Sequence, residues 1–162
     1  MNNSSERAAI LYGEALQEAE KSNPDVPKVI ALLERAIEGG DSKAMYALAT
    51  WYLNGRQPYV SIDHAKAFPL LEKAAAAQNP DALHDLAVCF DRGWAVAEDK
   101  RKAFEYYLQA ALLGDAQSFY EVGRCYYHGS GVDHDSRLSE IWLDRAEQLG
   151  ISAETGEPSE SS

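Results

Sequence analysis

The chain has 162 residues, 46% of them hydrophobic, and 26 acidic against 15 basic side chains leave a net charge of −11 and a pI of about 4.7. That length fits one ordinary domain or about four small repeat units, and the apolar content suffices for a continuous core, although no apolar run is long enough to cross a membrane. The acidity excludes nucleic acid and anionic membrane as main partners, because both need a cationic footprint, and it suits a basic protein.

Residues 1–7 contain no basic segment leading into an apolar stretch, so no secretory signal is expected, and residues 1–5 are expected to be disordered. From there the chain is periodic. Asp25, Asp63, Asp99 and Asp135 are separated by 38, 36 and 36 residues, and eleven residues after each comes Ala36, Ala74, Ala110 or Ala146. A period of this length marks stacked helical repeats. The predicted units are 6–41, 42–79, 80–115 and 116–150, each a pair of helices. First helices are predicted over 6–21, 42–54, 80–92 and 116–128, and second helices over 26–39, 64–78, 100–113 and 136–149. Apolar residues recur three and four apart, as in Leu48, Trp51 and Tyr52 or Leu86, Cys89 and Phe90, which favours helix over strand.

The recurring aspartates precede the second helices, where a carboxylate accepts bonds from free amides and opposes the helix dipole. Gly40, Gly114 and Gly150 are expected to end second helices, and Gly55, Gly93 and Gly129 to end first helices. Gly13, Ala49, Ala87 and Gly123 share one mid-helix position, where small size lets neighbouring helices approach. Cys89 and Cys125 are also equivalent. Stacking sets them about 10 Å apart, beyond disulfide reach, so they read as buried thiols in a reducing, cytoplasmic setting. Pro69 falls inside a predicted helix and is expected to kink it or tighten its first turn. Residues 151–162, rich in Glu, Ser, Gly and Pro, are expected to form a disordered acidic tail.

Together these features resemble the Sel-1-like repeat family, a tetratricopeptide-related branch of α-solenoids. Ser118 to Gly150 carries Val122-Gly123, Tyr126, Gly129-Ser130-Gly131-Val132, Asp135, Trp142, Ala146 and Gly150; 80–115 and 42–79 carry Leu86-Ala87 and Leu48-Ala49, Phe90 and Tyr52, Lys102-Ala103 and Lys66-Ala67 at matching positions. The resemblance covers 42–150 well and 6–41 weakly. Gln78 departs from it by replacing the closing glycine. It implies an all-α fold, a right-handed α-α superhelix of about four helix-turn-helix repeats with first helices lining the concave side. It also implies noncatalytic protein–protein binding, with no catalytic residue to transfer.

First-helix positions not needed for packing are then the candidates for contact, in the rows Leu11, Ala47, Asp85, Glu121 and Glu14, Thr50, Val88, Arg124, followed by Gln17, Leu53, Asp91, Tyr127 and Glu18, Asn54, Arg92, His128. Asp85, Asp91, Glu121, Arg124 and Tyr127 combine acids, an arginine and an aromatic anchor, and are the predicted partner-binding residues. Tyr46, His84 and Tyr120 are equivalent to one another and are assigned to packing. The four histidines form no HxxxH or CxxC pattern with the cysteines, and no phosphate loop or nucleophile elbow occurs, so no metal, cofactor or catalytic residue is expected. The polar last helix argues against open-ended stacking, and a monomer is expected. Free-standing bacterial proteins resembling the family include immunity proteins that neutralise secreted toxins; acidity suits that role and a general adaptor or scaffold equally. Charge reversal at Asp85 plus Glu121 is expected to weaken binding without altering the melting temperature.

Overall fold

The computed structural model describes residues 3–152 and 154–158. Among them every regular element is an α-helix: α1 (Asn3–Ala19), α2 (Val26–Glu38), α3 (Ser42–Asn54), α4 (His64–Ala76), α5 (Pro80–Arg92), α6 (Lys100–Leu112), α7 (Ala116–His128) and α8 (Ser136–Gln148). The fold is an all-α solenoid of helix pairs. It divides into two compact units, residues 1–77 and 78–162. In unit 1, α1 packs on α2, α2 on α3 and α3 on α4; in unit 2, α5 packs on α6, α6 on α7 and α7 on α8. None of the described helices is long and apolar enough to cross a membrane.

The aspartates act as caps. Asp25, Asp63, Asp99 and Asp135 accept the backbone N–H of Lys28, Lys66, Lys102 and Leu138 at 2.9–3.1 Å. A second row caps the first helices: Asp41, Asn79 and Asp115 accept from Ala44, Ala82 and Ser118 at 2.7–2.9 Å. Each such bond contributes about 1 kcal/mol, so the polar residues that punctuate the repeats also hold their helix ends. The two-residue insertion after Gly55 is absorbed locally, where Arg56 and Val60 bridge each other. The Asp63 amide still donates to the Tyr52 carbonyl, as Asp99 does to Phe90 and Asp135 to Tyr126. Helix α4 is continuous through the exposed Pro69.

Small residues work as expected in three of the four repeats. Ala49 and Ala87 are fully buried, and a Cβ on Gly123 would strike Leu143 of α8. Gly13 is different, with nothing within 4 Å of a Cβ. Helix α1 begins at Asn3 rather than at 6, and buries Ala8, Leu11, Ala15 and Glu18 along one stripe. Leu11 and Glu18, placed by register on the contact rows, are therefore interior residues. Glu18 is 6% exposed and accepts Lys21 Nζ at 2.8 Å, Lys28 Nζ at 2.9 Å and the Asp25 amide at 3.3 Å. The bonds from Lys21 and then Lys28 hold its carboxyl at about 2, well below the ordinary carboxylate range.

Cys89 and Cys125 are free and buried, and burial pushes both thiols up to about 11, so neither is a thiolate near neutrality. Residues 151–152 and 154–158, expected to be disordered, fold back on α7 instead. Ile151 is buried and bridges Pro158, Gln117 Nε2 donates to the Gly156 carbonyl, and Gly156 lies against the Tyr120 ring with no room for a Cβ. Their polar composition forms a turn because Ile151 supplies one apolar anchor and Gly156 permits close approach at φ +71°. Positions 1, 2, 153 and 159–162, also expected to be disordered, lie outside the described residues.

Candidate functional site

Asp91 on α5 and Glu121 and Arg124 on α7, three of the five predicted contact residues, are joined in one network of unit 2. Asp91, near the end of α5, accepts Lys100 Nζ at 3.2 Å on one oxygen and faces Arg124 of α7 at 3.6 Å with the other. Arg124 Nε also donates to Glu121 Oε2 at 2.8 Å, one turn earlier on the same helix. Burial alone would weaken the guanidinium's hold on its proton, but Glu121 and Asp91 outweigh it and raise its pKa further. Arg124 is thus held in one orientation by two acids. Tyr127 remains apart from that network and is 61% exposed, its ring edge-on to His128 at 4.9 Å. Together with Tyr120, Arg124 and Leu143, this pair lines a shallow recess on α7 and α8.

A second cluster sits where α7 begins. His84 Nδ1 lies 2.9 Å from Ser118 Oγ and 3.3 Å from Asp115 Oδ2, and that same carboxylate oxygen caps α7 through the Ser118 amide at 2.7 Å. The His84 ring meets Tyr107 of α6 edge-on at 5.4 Å. Burial disfavours the imidazolium, yet the hydrogen bond and charge of Asp115, with the charges of Asp85 and Glu121, raise the His84 pKa above its ordinary value. For Asp115 burial opposes ionisation, and the bonds from His84 and Ser118 lower its pKa all the same. Burial drives the Tyr107 hydroxyl well above its normal range, so it stays protonated.

A serine, a histidine and an aspartate in contact invite comparison with a hydrolytic triad. The geometry does not serve that chemistry. A relay needs the acid on one ring nitrogen and the nucleophile on the other, whereas here Asp115 and Ser118 share Nδ1. Ser118 is also 0% exposed, out of reach of any substrate. Among the described residues, no three His, Cys, Asp or Glu side chains converge as metal ligands.

Register placed Asp85, Asp91, Glu121, Arg124 and Tyr127 on α5 and α7 and did not anticipate the contacts of Lys100, His84, Asp115 and Ser118. The missed signal was the second cap row, Asp41, Asn79 and Asp115, whose last member places a carboxylate at the start of α7. Glu121 binds Arg124, and with Asp85 it favours charged His84, so reversing both acids is expected to disturb these contacts as well as any binding.

The Sel1 repeat model matches residues 42–79, 80–115 and 117–151. Among solved structures, the protective antigen c5321 of uropathogenic Escherichia coli, which displays an SLR fold, is similar at 27% identity over 88% of this chain and 31% of its own, with a TM-score of 0.82. A Sel1 repeat protein from Oxalobacter formigenes is similar at 23% identity over 88% of this chain and 58% of its own, with a TM-score of 0.79. Immunity protein Pa5087 from Pseudomonas aeruginosa is similar at 24% identity over 89% and 54%, with a TM-score of 0.63. The chain thus spans about a third of the first of these proteins and little more than half of the other two. Because the three family matches cover well over half of the sequence, and helix pairs occupy each of them, the chain belongs to the Sel1 repeat family.

Proposed function

We propose that the protein is a noncatalytic interaction module whose face over α5 and α7, formed by Asp85, Asp91, Glu121, Arg124 and Tyr127, binds a protein partner. One observation carries the reading: an exposed tyrosine stands beside an arginine already oriented by two acids, so a hot-spot pair is prepared before the partner arrives. Tyrosine and arginine dominate binding energy in such settings, and pre-orientation reduces the entropy lost on association. The net charge of −11 favours a basic partner and faster encounter with it, and disfavours nucleic acid or membrane. We place the protein in the cytoplasm, as a monomer, in keeping with its free buried thiols.

Two roles fit this module. A general adaptor in signalling or assembly needs nothing further. A bacterial immunity protein that neutralises a toxin is the narrower reading, supported by the acidity and by the fold shared with Pa5087. Tyr127→Ala decides whether the face binds at all. The captured partner is expected to bind the variant at least about tenfold more weakly, with an unchanged melting temperature. Equal affinity would remove this face from the reading. The immunity role requires more: co-expression must rescue cells from a toxin encoded beside this gene, and Tyr127→Ala must lose the rescue.

A further inference from the structure

Tyr46, His84 and Tyr120 occupy one position in three successive repeats, and His84 brings to it the residue type that exchanges a proton near neutral pH. It also forms a polar link from α5 to α7. His84 reaches Asp115 and Ser118 at the start of α7, and Asp91 reaches Arg124 two turns further on. Between these links lie Asp85 and Glu121, two of the residues assigned above to the binding face.

The first link is largely out of water. The side chains of His84 and Asp115 are 18% and 15% exposed, and Ser118 is sealed. The groups facing the imidazole are Asp85 on its own helix, Asp115 and Glu121 from α7 and its cap, and the protonated hydroxyl-bearing ring of Tyr107 from α6. Three acids among these groups favour its charged form. Asp115 is not free to turn away, because it holds the Ser118 amide. A protonated ring donates a charged hydrogen bond to Asp115; a neutral ring keeps a neutral donor or presents a lone pair to a carboxylate. The adjustment then falls on α5. The 3.6 Å Asp91–Arg124 contact is the longer link and gives first.

We infer that His84 is the positioning residue of the binding face: it bridges α5 to the cap of α7, and uptake of its proton draws Asp85, Asp91, Glu121, Arg124 and Tyr127 into the arrangement that binds the partner. This rests on the function proposed above and adds proton control to it. Proton uptake makes the cluster one charge less negative, which by itself disfavours a basic partner, and the closer pairing of His84 with Asp115 at 3.3 Å acts in the opposite direction through the spacing of the two helices. With the spacing dominant, affinity for a basic partner rises as pH falls. Plain attraction to an acidic protein has the opposite sign, since the protein is more negative at higher pH.

Nuclear magnetic resonance on the full chain tests the coupling. Between about pH 5 and about pH 8.5, the His84 ring is expected to titrate above its ordinary midpoint, with the Ser118 amide, the Arg124 Nε–H and the Tyr127 ring following the same midpoint. Asp115→Asn keeps the capping oxygen but not the charge, and is expected to lower that midpoint by about one unit or more. A His84 midpoint at or below the ordinary histidine value, or Arg124 and Tyr127 signals that ignore it, overturns the proposal. A lysine decapeptide then serves as the basic probe, titrated into wild type and His84→Gln. Wild-type affinity is expected to fall about fivefold from about pH 6 to about pH 8, inside the tenfold limit of one pKa unit, while the variant shows no fall. Rising wild-type affinity, or the same fall in the variant, sinks the positioning role. If neither protein binds the peptide, the basic-partner reading fails, and the shared midpoint alone decides whether His84 positions the face.

Discussion

The two units are built from the same helix pairs, yet they use buried charge differently. In unit 1 the charge is closed within one repeat: Glu18 on α1 is surrounded by Lys21, Lys28 and the Asp25 amide, and holds α1 to α2. In unit 2 the charge crosses between repeats, from His84 and Asp91 on α5 to Asp115 and Arg124 at α7. Glu18 and His128 share a register position, but one is interior and the other exposed. A network confined to one helix pair can only stabilise it. One that spans two first helices beside an exposed tyrosine is placed, on the function proposed above, to answer to a partner.

The largest expected effect breaks unit 2 alone. Gly131 has φ +72°, and a Cβ there would run into the Lys100 carbonyl at the start of α6. Gly131→Ala combines a left-handed alanine, at about 1–2 kcal/mol, with overpacking against backbone, at about 1–3 kcal/mol. A loss of about 3 kcal/mol is expected in urea unfolding. Hydrogen exchange should place it in α6 to α8 and leave α1 and α2 protected. Equal loss of protection in α1 would mean that the units unfold together.

The next effect sharpens the contrast through pH. Glu18 has a folded pKa of about 2 against an ordinary 4.5. A depressed acid stabilises the fold above its unfolded value and loses that contribution as pH falls through the folded one. Wild type and Glu18→Gln should therefore differ in melting temperature at neutral pH and converge as pH drops from about 4.5 towards about 2. His84 in unit 2 answers on the opposite limb. Its raised pKa stabilises the fold below the ordinary value of 6.5, and the contribution disappears as pH rises through the folded value. Wild type and His84→Gln should converge on the alkaline side. Both pairs converging on one limb would show that the two networks are not distinct.

The helix bounds could be read from the chain because repeat spacing, apolar periodicity and capping residues agree at each helix pair. Seven of the eight helices begin where register places them. Within α1 the interior stripe keeps Ala8 and Ala15 in register with buried positions of α5 and α7, but adds Leu11 and Glu18, whose counterparts there are not buried. Burial of Glu18 could not be read from an acidic residue near a helix end without knowing that two lysines return to it. The site was half legible for the same reason. Register placed Arg124 and Tyr127 correctly on α7, but whether Asp91 and Glu121 were free or paired depended on distances between helices. Composition reads the C-terminal residues as disordered, whereas Ile151 and Gly156 dock against the helices.

The smallest effect runs opposite to the first and concerns the two positions where this chain lacks the expected glycine. Ala95 is the counterpart of Gly131 and takes φ +61°; Gln78 replaces the glycine that closes a second helix and takes φ +62°. Both side chains are exposed. A left-handed residue other than glycine costs about 1–2 kcal/mol, and glycine returns about 0.4–1 kcal/mol of that through the entropy of the unfolded chain. Ala95→Gly and Gln78→Gly should each raise stability by about 0.5–1 kcal/mol, seen as a higher urea midpoint at unchanged slope. Gly131→Ala and Ala95→Gly thus exchange the same two residues at one register position with opposite signs. The difference between them isolates what the Lys100 backbone adds to the local requirement for a left-handed turn. If Ala95→Gly instead destabilises, its methyl group contributes packing that outweighs the strain, and the two loops are not equivalent in energy despite their shared conformation.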